Sequence, residues 1–222
     1  MPLEVRWFSK NMTDYELADK WFTSIDEIFE KECREDQYLF LPNSEDIGIK
    51  IRPSKDEEGN TKPPKLEVKW RKKKYMDFDI IGNKISGTLE EWIKWGWVFI
   101  NPPESTDTGI DFFSVLPNGP GIKIKKWRVL RRYNYQDVSK SVEGINTDSG
   151  KEGIQFEITK IKIYSNNETW WSVGFEGIGK KNNESEFRNT IQKILKDFKI
   201  KLEKADSFGY PEWLKRNFNQ FL

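Results

Sequence analysis

Apolar and charged residues alternate strictly along several short stretches of this chain, most clearly in Leu66-Glu67-Val68-Lys69-Trp70-Arg71. A period of two is typical of a β-strand whose two faces differ. The same pattern recurs at four other places, which are residues 3–7, 47–52, 126–129 and 155–158. Each of the five stretches therefore predicts a strand with one apolar face and one ionic face.

The remaining elements follow from helical spacing and from turn residues. A capping box at Thr13 and apolar residues at helical spacing predict a helix over about 14–33. Similar signals predict a Trp-rich helix over about 88–97 and a third helix over about 184–203, and Pro211 is typical of the first position of a terminal helix over 211–220. The strands expected are 3–8, 37–42, 46–52, 65–73, 122–135, 153–164 and 169–178, with a short strand or turn over 76–86 and polar loops over 53–65, 101–121 and 136–152.

The chain has 222 residues, which is long enough to bury a sizeable core. It shows no internal repeat, low-complexity segment or interdomain linker, so a single domain over 1–222 is expected. Its core strands would occupy about 3–180 and its C-terminal helices about 184–220. The predicted class is α+β, with mostly antiparallel strands and helices after the first strand and at the C-terminus.

Composition excludes several kinds of chemistry. With 37 basic and 36 acidic residues the net charge is +1, so no global field attracts nucleic acid or a membrane. There is no histidine, which rules out Ser-His-Asp and Cys-His catalysis, and the single Cys33 rules out an internal disulfide. A bound metal would have to be a hard cation held by carboxylates. The lack of a signal sequence and of an apolar span predicts a cytoplasmic protein.

The ionic strand faces allow two interpretations. An open two-layer sheet would leave them in water, as one face of an antiparallel sheet commonly is. However, an ordinary wet face mixes hydroxyl and amide side chains with charges, whereas these positions are nearly all Arg, Lys and Glu. If about eight strands closed into a barrel, the charges would point into its lumen. The set comprises Arg6, Lys50, Arg52, Lys69, Arg71, Lys126 and Arg128 against Glu4, Glu67, Glu157 and Glu176.

Such a lumen could not be dry, because dehydrating that many charges carries a large free-energy cost. It would have to hold water, ions or a ligand. The excess of cations favours a polyanion, and the glutamates are explained if a divalent cation bridges them to that anion.

The order of the charged strands resembles a known family. An N-terminal Glu-x-Arg strand, a helix, an Ile-x-Ile-Lys-Ile-Arg strand, a Leu-Glu-Val-Lys strand, a Lys-x-Arg strand and two Glu-bearing strands follow one another over about 3–180. This order resembles the CYTH superfamily, the triphosphate tunnel metalloenzymes. The closing Tyr210-Pro211-Glu212-Trp213-Leu214 is similar to bacterial members without an assigned function. The resemblance implies an eight-stranded closed tunnel in which Lys and Arg bind a triphosphate and glutamates hold Mg²⁺ or Mn²⁺.

Carried over to this chain, the resemblance assigns phosphate binding to basic residues and metal binding to glutamates. The phosphate-binding residues would be Arg52, Lys69, Lys126 and Arg128, and the metal-side residues Glu4, Glu67, Glu157 and Glu176. Either Glu67 or Glu157 would orient the attacking water as the catalytic residue. The first strand departs from the family signature Glu-x-Glu-x-Lys, because it reads Glu4-x-Arg6-x-Phe8. The loss of one carboxylate weakens a metal site.

The function expected is therefore a metal-dependent phosphohydrolase acting on inorganic triphosphate or a triphosphorylated small molecule. The alternative is a non-catalytic binding module for phosphorylated anions, which keeps the tunnel and has lost hydrolysis. A third interpretation, single-strand nucleic-acid binding through Trp and Lys, is disfavoured by the balanced charge and by the helical spacing of most tryptophans. No membrane partner is expected, and the sequence is compatible with a homodimer.

Overall fold

The computed structural model describes residues 2–39, 41, 43–52, 65–75, 78–80, 85–98, 121–143, 152–179 and 183–218. The loops predicted over 53–65 and 101–121 lie outside these residues except at their last positions. The loop predicted over 136–152 and the segment 76–86 are described only in part.

Eight strands close into an antiparallel barrel. In chain order the strands are β1 (Leu3–Ser9), β2 (Glu30–Leu39), β3 (Ile47–Arg52), β4 (Lys65–Lys74), β5 (Phe78–Ile80), β6 (Ile85–Gly87), β7 (Glu90–Val98), β8 (Gly121–Asn134), β9 (Gly153–Ile163) and β10 (Thr169–Ile178). The barrel order is β1-β10-β9-β8-β2-β3-β4-β7, with β7 pairing back to β1, while β5 and β6 form a separate two-stranded sheet. The predicted α+β barrel is confirmed, and the open-sheet interpretation is wrong.

The helices in the described part of the chain are α1 (Met12–Thr23), α2 (Glu184–Ile194) and α3 (Tyr210–Phe218). The predicted helix over 14–33 is too long at its C-terminal end, because β2 starts at Glu30. Its N-cap is Asn11 rather than Thr13, since the Asn11 side chain accepts from the backbone N–H of the first turn. The third predicted helix, 184–203, ends at Ile194. No described helix has the length and apolar character needed to cross a membrane.

The Trp-rich stretch predicted as a helix over 88–97 is strand β7. Its residues alternate between the two sides of the barrel wall: Trp92 is fully buried, whereas Trp95 and Trp97 are about half exposed on the outside. Tryptophan suits a pleated strand, and its spacing here fits both a helical and a strand pattern. The prediction was wrong because spacing alone could not distinguish the two.

Two separate apolar cores hold the barrel. Outside the wall, α1 packs on β9 and β10, where the ring of Phe22 lies 4.8 Å from that of Phe156, and α2 contributes Phe187 to the same cluster. Inside the wall, at one end of the lumen, α3 contributes Trp213 to a second cluster that includes Phe8. The ring of Trp213 stacks on Phe8 with centroids 5.1 Å apart. The terminal helix therefore plugs one end of the barrel.

Candidate functional site

The lumen beside the plug is lined by charged side chains from most of the barrel strands. Six cations and four carboxylates surround a cavity of about 80 Å³. The lining residues are Glu4, Arg6, Arg34, Tyr38, Gly48, Lys50, Glu67, Lys69, Lys126, Arg128, Glu157, Glu176, Tyr210 and Pro211. Nine of the eleven charged residues that the alternation placed on an ionic face are brought together here.

The other two predicted residues lie near the lumen but not on this cavity. Arg52 is at the open end, 30% exposed, and forms ion pairs with Asp36 at 3.3 Å and Glu67 at 3.0 Å. Arg71 lies under the plug and pairs with Glu212 of α3 at 3.0 Å. Arg71 therefore fastens the terminal helix to the wall of the barrel.

Arg6 links two of the predicted metal-side carboxylates. Its guanidinium donates to Glu4 at 3.3 Å and to Glu157 at 2.5 Å, while Glu4 also pairs with Lys69, and Glu157 with Arg128. Burial would raise the pKa of Glu157, but its two arginines hold that pKa well below the ordinary value. The pKa of Glu4 is lowered too, because Lys69 and Arg6 outweigh burial. Both carboxylates are therefore ionised and neutralised by fixed cations.

Glu67 is surrounded in the same way by four cations. Its carboxylate lies 3.4 Å from Lys50, 3.0 Å from Arg52, 3.3 Å from Lys94 and 3.7 Å from Lys65. Burial opposes ionisation, yet these cations hold the pKa of Glu67 well below its ordinary value. A carboxylate so strongly held is a weak base, which does not favour Glu67 as the residue that accepts a proton from water.

Asp36 is a central lumen residue that the sequence pattern did not identify. It is fully buried, and its carboxylate has four cations within 4 Å. These are Lys126 at 3.1 Å, Arg52 at 3.3 Å, Arg34 at 3.4 Å and Lys50 at 3.8 Å. Burial would raise the pKa of Asp36, but the surrounding cations hold it well below the ordinary value. Asp36 is an internal counter-anion for the basic side of the lumen.

Two lumen lysines have lowered pKa values. Burial lowers the pKa of Lys50 to about 7, although Asp36 and Glu67 act in the opposite direction. Burial also places the pKa of Lys126 well below its ordinary value, and neighbouring cations add to that shift. Lys126 is 2% exposed, donates to the Tyr38 hydroxyl at 2.7 Å and lies 3.8 Å from the centroid of the Tyr210 ring. Both lysines have protonation states that respond to the charge in the lumen.

The functional residues missed by the sequence analysis belong to β2, β7 and α3. On β2, Glu32, Arg34 and Asp36 share one face, but the opposite face is also polar, so the stretch shows no apolar alternation. In the structure, Glu32 pairs with Arg128 and Arg34 with Lys126 on β8. This pairing shows which face of β2 is directed into the lumen, which the polar sequence of β2 could not show. Lys94 was missed because β7 was predicted as a helix. Tyr210 was missed because only strand residues were expected in the lumen, whereas the terminal helix also reaches it.

The two ends of the lumen differ. At the plugged end Phe8 occupies the position of the family lysine, and its ring packs on Trp213 and Phe208 rather than facing the charges. At the other end the side chains of Lys65 and Lys94 are 33% and 41% exposed. These two lysines also line an adjoining cavity of about 450 Å³, which shares Glu176 with the lumen. Within the described part of the chain nothing closes the lumen at this end, so a ligand can reach the charged residues from it.

The residues present do not fit the divalent metal that the family resemblance implies. Within the described residues, no three potential ligand side chains are grouped so that they could hold an ion. Glu4, Glu67 and Glu157 are each paired with two or more cations. Of the predicted metal-side carboxylates, only Glu176 forms no ion pair with another described residue. One available carboxylate is too few for a Mg²⁺ or Mn²⁺ site.

Comparison with solved structures identifies the architecture. The triphosphatase of the mimivirus capping enzyme superposes with a TM-score of 0.50 at 13% identity, over 88% of this chain and 86% of that chain. The two proteins share the fold. The eight-stranded closed tunnel expected from the strand order is thereby confirmed, and at this identity the likeness shows the fold alone.

Two further triphosphatase structures align with lower scores. The RNA triphosphatase domain of the trifunctional mimivirus mRNA capping enzyme aligns with a TM-score of 0.49 at 13% identity, over 88% of this chain and 85% of that chain. The Schizosaccharomyces pombe Pct1 RNA triphosphatase aligns with a TM-score of 0.36 at 12% identity, over 99% of this chain and 80% of that chain. No family model and no curated protein sequence matches the chain.

Proposed function

We propose that the tunnel binds a small polyphosphate anion, either inorganic triphosphate or the triphosphate group of a small molecule. The observation that carries the proposal is that cations from five different strands converge on one cavity. They are Arg6, Arg34, Lys50, Lys69, Lys126 and Arg128. Ammonium and guanidinium groups in a partly dehydrated site bind phosphate oxygens through charge-assisted hydrogen bonds. The triphosphatase named among the structural neighbours supports triphosphate as the class of anion.

The shape of the tunnel favours entry by one end of the ligand. Because α3 blocks the far end, a chain of phosphates enters from the open end and stops at Tyr210 and Pro211. An attached organic group then lies in the outer cavity, whose volume of about 450 Å³ is typical of small-molecule sites. The proposed ligand is therefore a terminal phosphate chain rather than a phosphate in the middle of a polymer.

Hydrolysis of the bound anion is a second candidate function, favoured by Glu176. This carboxylate lines both the lumen and the outer cavity and forms no ion pair with another described residue. Lys94 is close enough for the charge of Glu176 to raise its pKa, but no described cation lies within ion-pair distance of Glu176. Glu176 is therefore better placed to orient a water than Glu67 or Glu157, which form direct ion pairs. Phosphate release from tripolyphosphate, measured with and without Mg²⁺ or Mn²⁺, tests this candidate. Turnover that is lost in Glu176→Gln but kept in Glu143→Gln would support it, and no turnover by wild type would refute it.

Replacing one deep cation provides the direct test of binding. Lys126→Met is expected to weaken tripolyphosphate binding by about tenfold to a hundredfold, because one charge-assisted hydrogen bond is lost while the side-chain volume is kept. Isothermal titration calorimetry measures the affinity. Lys123→Met is the matched control, since Lys123 is on the same strand but is half exposed and pairs with Glu35. A wild-type protein that does not bind, or an equal loss in both variants, would contradict the proposal.

Binding is also expected to take up protons above neutral pH. With a pKa of about 7, Lys50 is mostly neutral at pH 8 in the free protein, and a bound polyanion raises that pKa. Affinity should therefore fall as pH rises from about 7 to 9. The folded-state pKa is below the unfolded value, so for the free protein this group adds stability as pH rises through the same window. Lys50→Arg should take up fewer protons, because arginine stays charged.

The proton count follows from calorimetry at pH 8 in buffers that differ in ionisation enthalpy. Wild type should show net uptake, and the Lys50→Arg variant should show less by roughly one proton while keeping its affinity. The charge at position 50 also lowers the pKa of Lys126, so the comparison is repeated with Lys126→Met in both proteins. Equal uptake in the two proteins would show that Lys50 does not titrate with binding.

A further inference from the structure

Arg6 is enclosed by acceptors at the position of the second glutamate in the family signature. It is 5% exposed, and its Nε and Nη1 atoms donate to Glu4 at 3.3 Å, to Glu157 at 2.5 Å and to the Ser172 hydroxyl at 3.2 Å. Its guanidinium carbon lies 5.1 Å from the centroid of the Tyr210 ring. The guanidinium therefore has a defined location inside the tunnel, between two carboxylates that the resemblance assigns to a metal.

A glycine on the intervening strand makes room for this guanidinium. Arg6 of β1 is in register with Gly174 of β10, which is in register with Glu157 of β9. Because neighbouring strands are about 4.8 Å apart, the arginine must cross over β10 to reach Glu157. A Cβ atom at position 174 would lie 2.6 Å from the Arg6 guanidinium carbon. The bridge between Arg6 and Glu157 thus depends on the missing side chain of Gly174.

We propose that Arg6 is a built-in cation that takes the place of the divalent metal, so that this tunnel binds polyphosphate without Mg²⁺ or Mn²⁺. The inference rests on the proposed function and deepens it. Arginine cannot lose its proton in a protein, so a metal that entered between Glu4 and Glu157 would leave a buried, uncompensated guanidinium. The two carboxylates serve to position the arginine, and the arginine contributes positive charge to the lumen.

The first experiment uses the wild-type protein with two independent readouts. Titration calorimetry with tripolyphosphate should give the same affinity, within about twofold, with and without EDTA. Electron paramagnetic resonance of Mn²⁺ in the absence of anion should show that wild type leaves the free Mn²⁺ signal unchanged. Loss of tripolyphosphate binding in EDTA, or one-to-one Mn²⁺ binding by wild type, would overturn the inference.

The second experiment moves the guanidinium without removing its charge. Gly174→Ala should displace Arg6 and weaken tripolyphosphate binding by about tenfold, the loss expected for one charge-assisted hydrogen bond. Gly121→Ala is the matched control, because the three atoms nearest to its Cβ, from 2.7 Å, would all belong to the Gln37 side chain, and Gly121 lines neither cavity. It should bind within about twofold of wild type. Equal affinities of the Gly174→Ala variant and wild type would contradict the role of Arg6.

The outcomes separate this inference from the proposed function. If wild type binds no tripolyphosphate in any buffer, the proposed function fails, whereas the Mn²⁺ titration still decides whether Arg6 excludes a metal. Arg6→Ala exposes the two carboxylates to solvent ions and should gain Mn²⁺ binding, which a merely structural arginine would not cause. An Arg6→Ala protein that remains folded but stays unresponsive to Mn²⁺ would count against the metal-replacement idea.

Discussion

Asp36→Asn is expected to lower the free energy of unfolding by about 3–5 kcal/mol, and tripolyphosphate should restore part of that loss. Asparagine keeps the shape of the side chain but removes the negative charge that four surrounding cations of the described chain share. Lys126, Arg52, Arg34 and Lys50 all lie within 4 Å of the carboxylate. An anion in the lumen would replace the missing charge. Thermal melting should show a fall in Tm of roughly 10 °C, reduced by the added anion.

A matched variant tests whether the rescue is specific to the lumen. Asp26 pairs with Arg131, whose guanidinium also donates to the Phe22 carbonyl in the packing beneath α1. Asp26→Asn should lose stability for the same kind of reason, yet tripolyphosphate should give it no more stabilisation than it gives wild type. Sodium chloride at equal ionic strength controls for general screening. Equal rescue of both variants would show that the anion does not act in the lumen.

The expected role of Asp36 illustrates how carboxylates stabilise the buried cations of the lumen. A lumen of cations alone would repel itself, and burial would drive its lysines neutral. Asp36, Glu67 and Glu157 offset part of this repulsion by forming ion pairs with the basic side chains, although burial still lowers the pKa of Lys50 and of Lys126. Under the proposed function, binding would be an exchange in which phosphate oxygens compete with carboxylates for the same donors. The affinity of such a site is set by the difference between two sets of ion pairs, which is why single substitutions should have large effects.

The sequence predicted the parts of this arrangement in which one strand face is apolar. β1, β3, β4, β8 and β9 alternate between ionic and apolar residues because their outer faces pack or stay apolar, whereas β10 shows a single charge, Glu176, in phase with small residues. Nine of the predicted charges line the lumen. The phase of each strand determined which side chains shared a face. The uniform ionic character of that face favoured a closed barrel over an open sheet, and the family resemblance implied the barrel.

The rest could not be predicted, for three physical reasons. On β2 both faces are polar, so Glu32, Arg34 and Asp36 have no apolar neighbours to reveal their direction. On β7 the tryptophans fit a helical spacing, and only pairing with β4 shows that Lys94 faces Lys69 across the strands. Ion pairs between distant strands, such as Arg6 with Glu157, leave no local signal in a single sequence.

Trp213→Ala is expected to lower the free energy of unfolding by about 3–5 kcal/mol, because it removes a fully buried ring from the plug. Trp213 stacks on Phe8 at 5.1 Å and meets Trp170 edge-on at 5.7 Å, so its loss empties the centre of the inner core. For a chain of this length the change corresponds to a fall in Tm of about 6–20 °C. Differential scanning calorimetry provides the measurement, with Trp95→Ala as the control for a tryptophan on the outer wall.

Trp95 is 43% exposed, and its replacement should change stability by no more than about 0.5 kcal/mol. The larger consequence of Trp213→Ala concerns the lumen, because the same helix brings Tyr210 against Arg6 and Lys126. Loosening α3 should open the blocked end and weaken tripolyphosphate binding even at temperatures where the barrel stays folded. If the variant lost stability but kept wild-type affinity, the plug would be a support for the barrel and not a wall of the binding site.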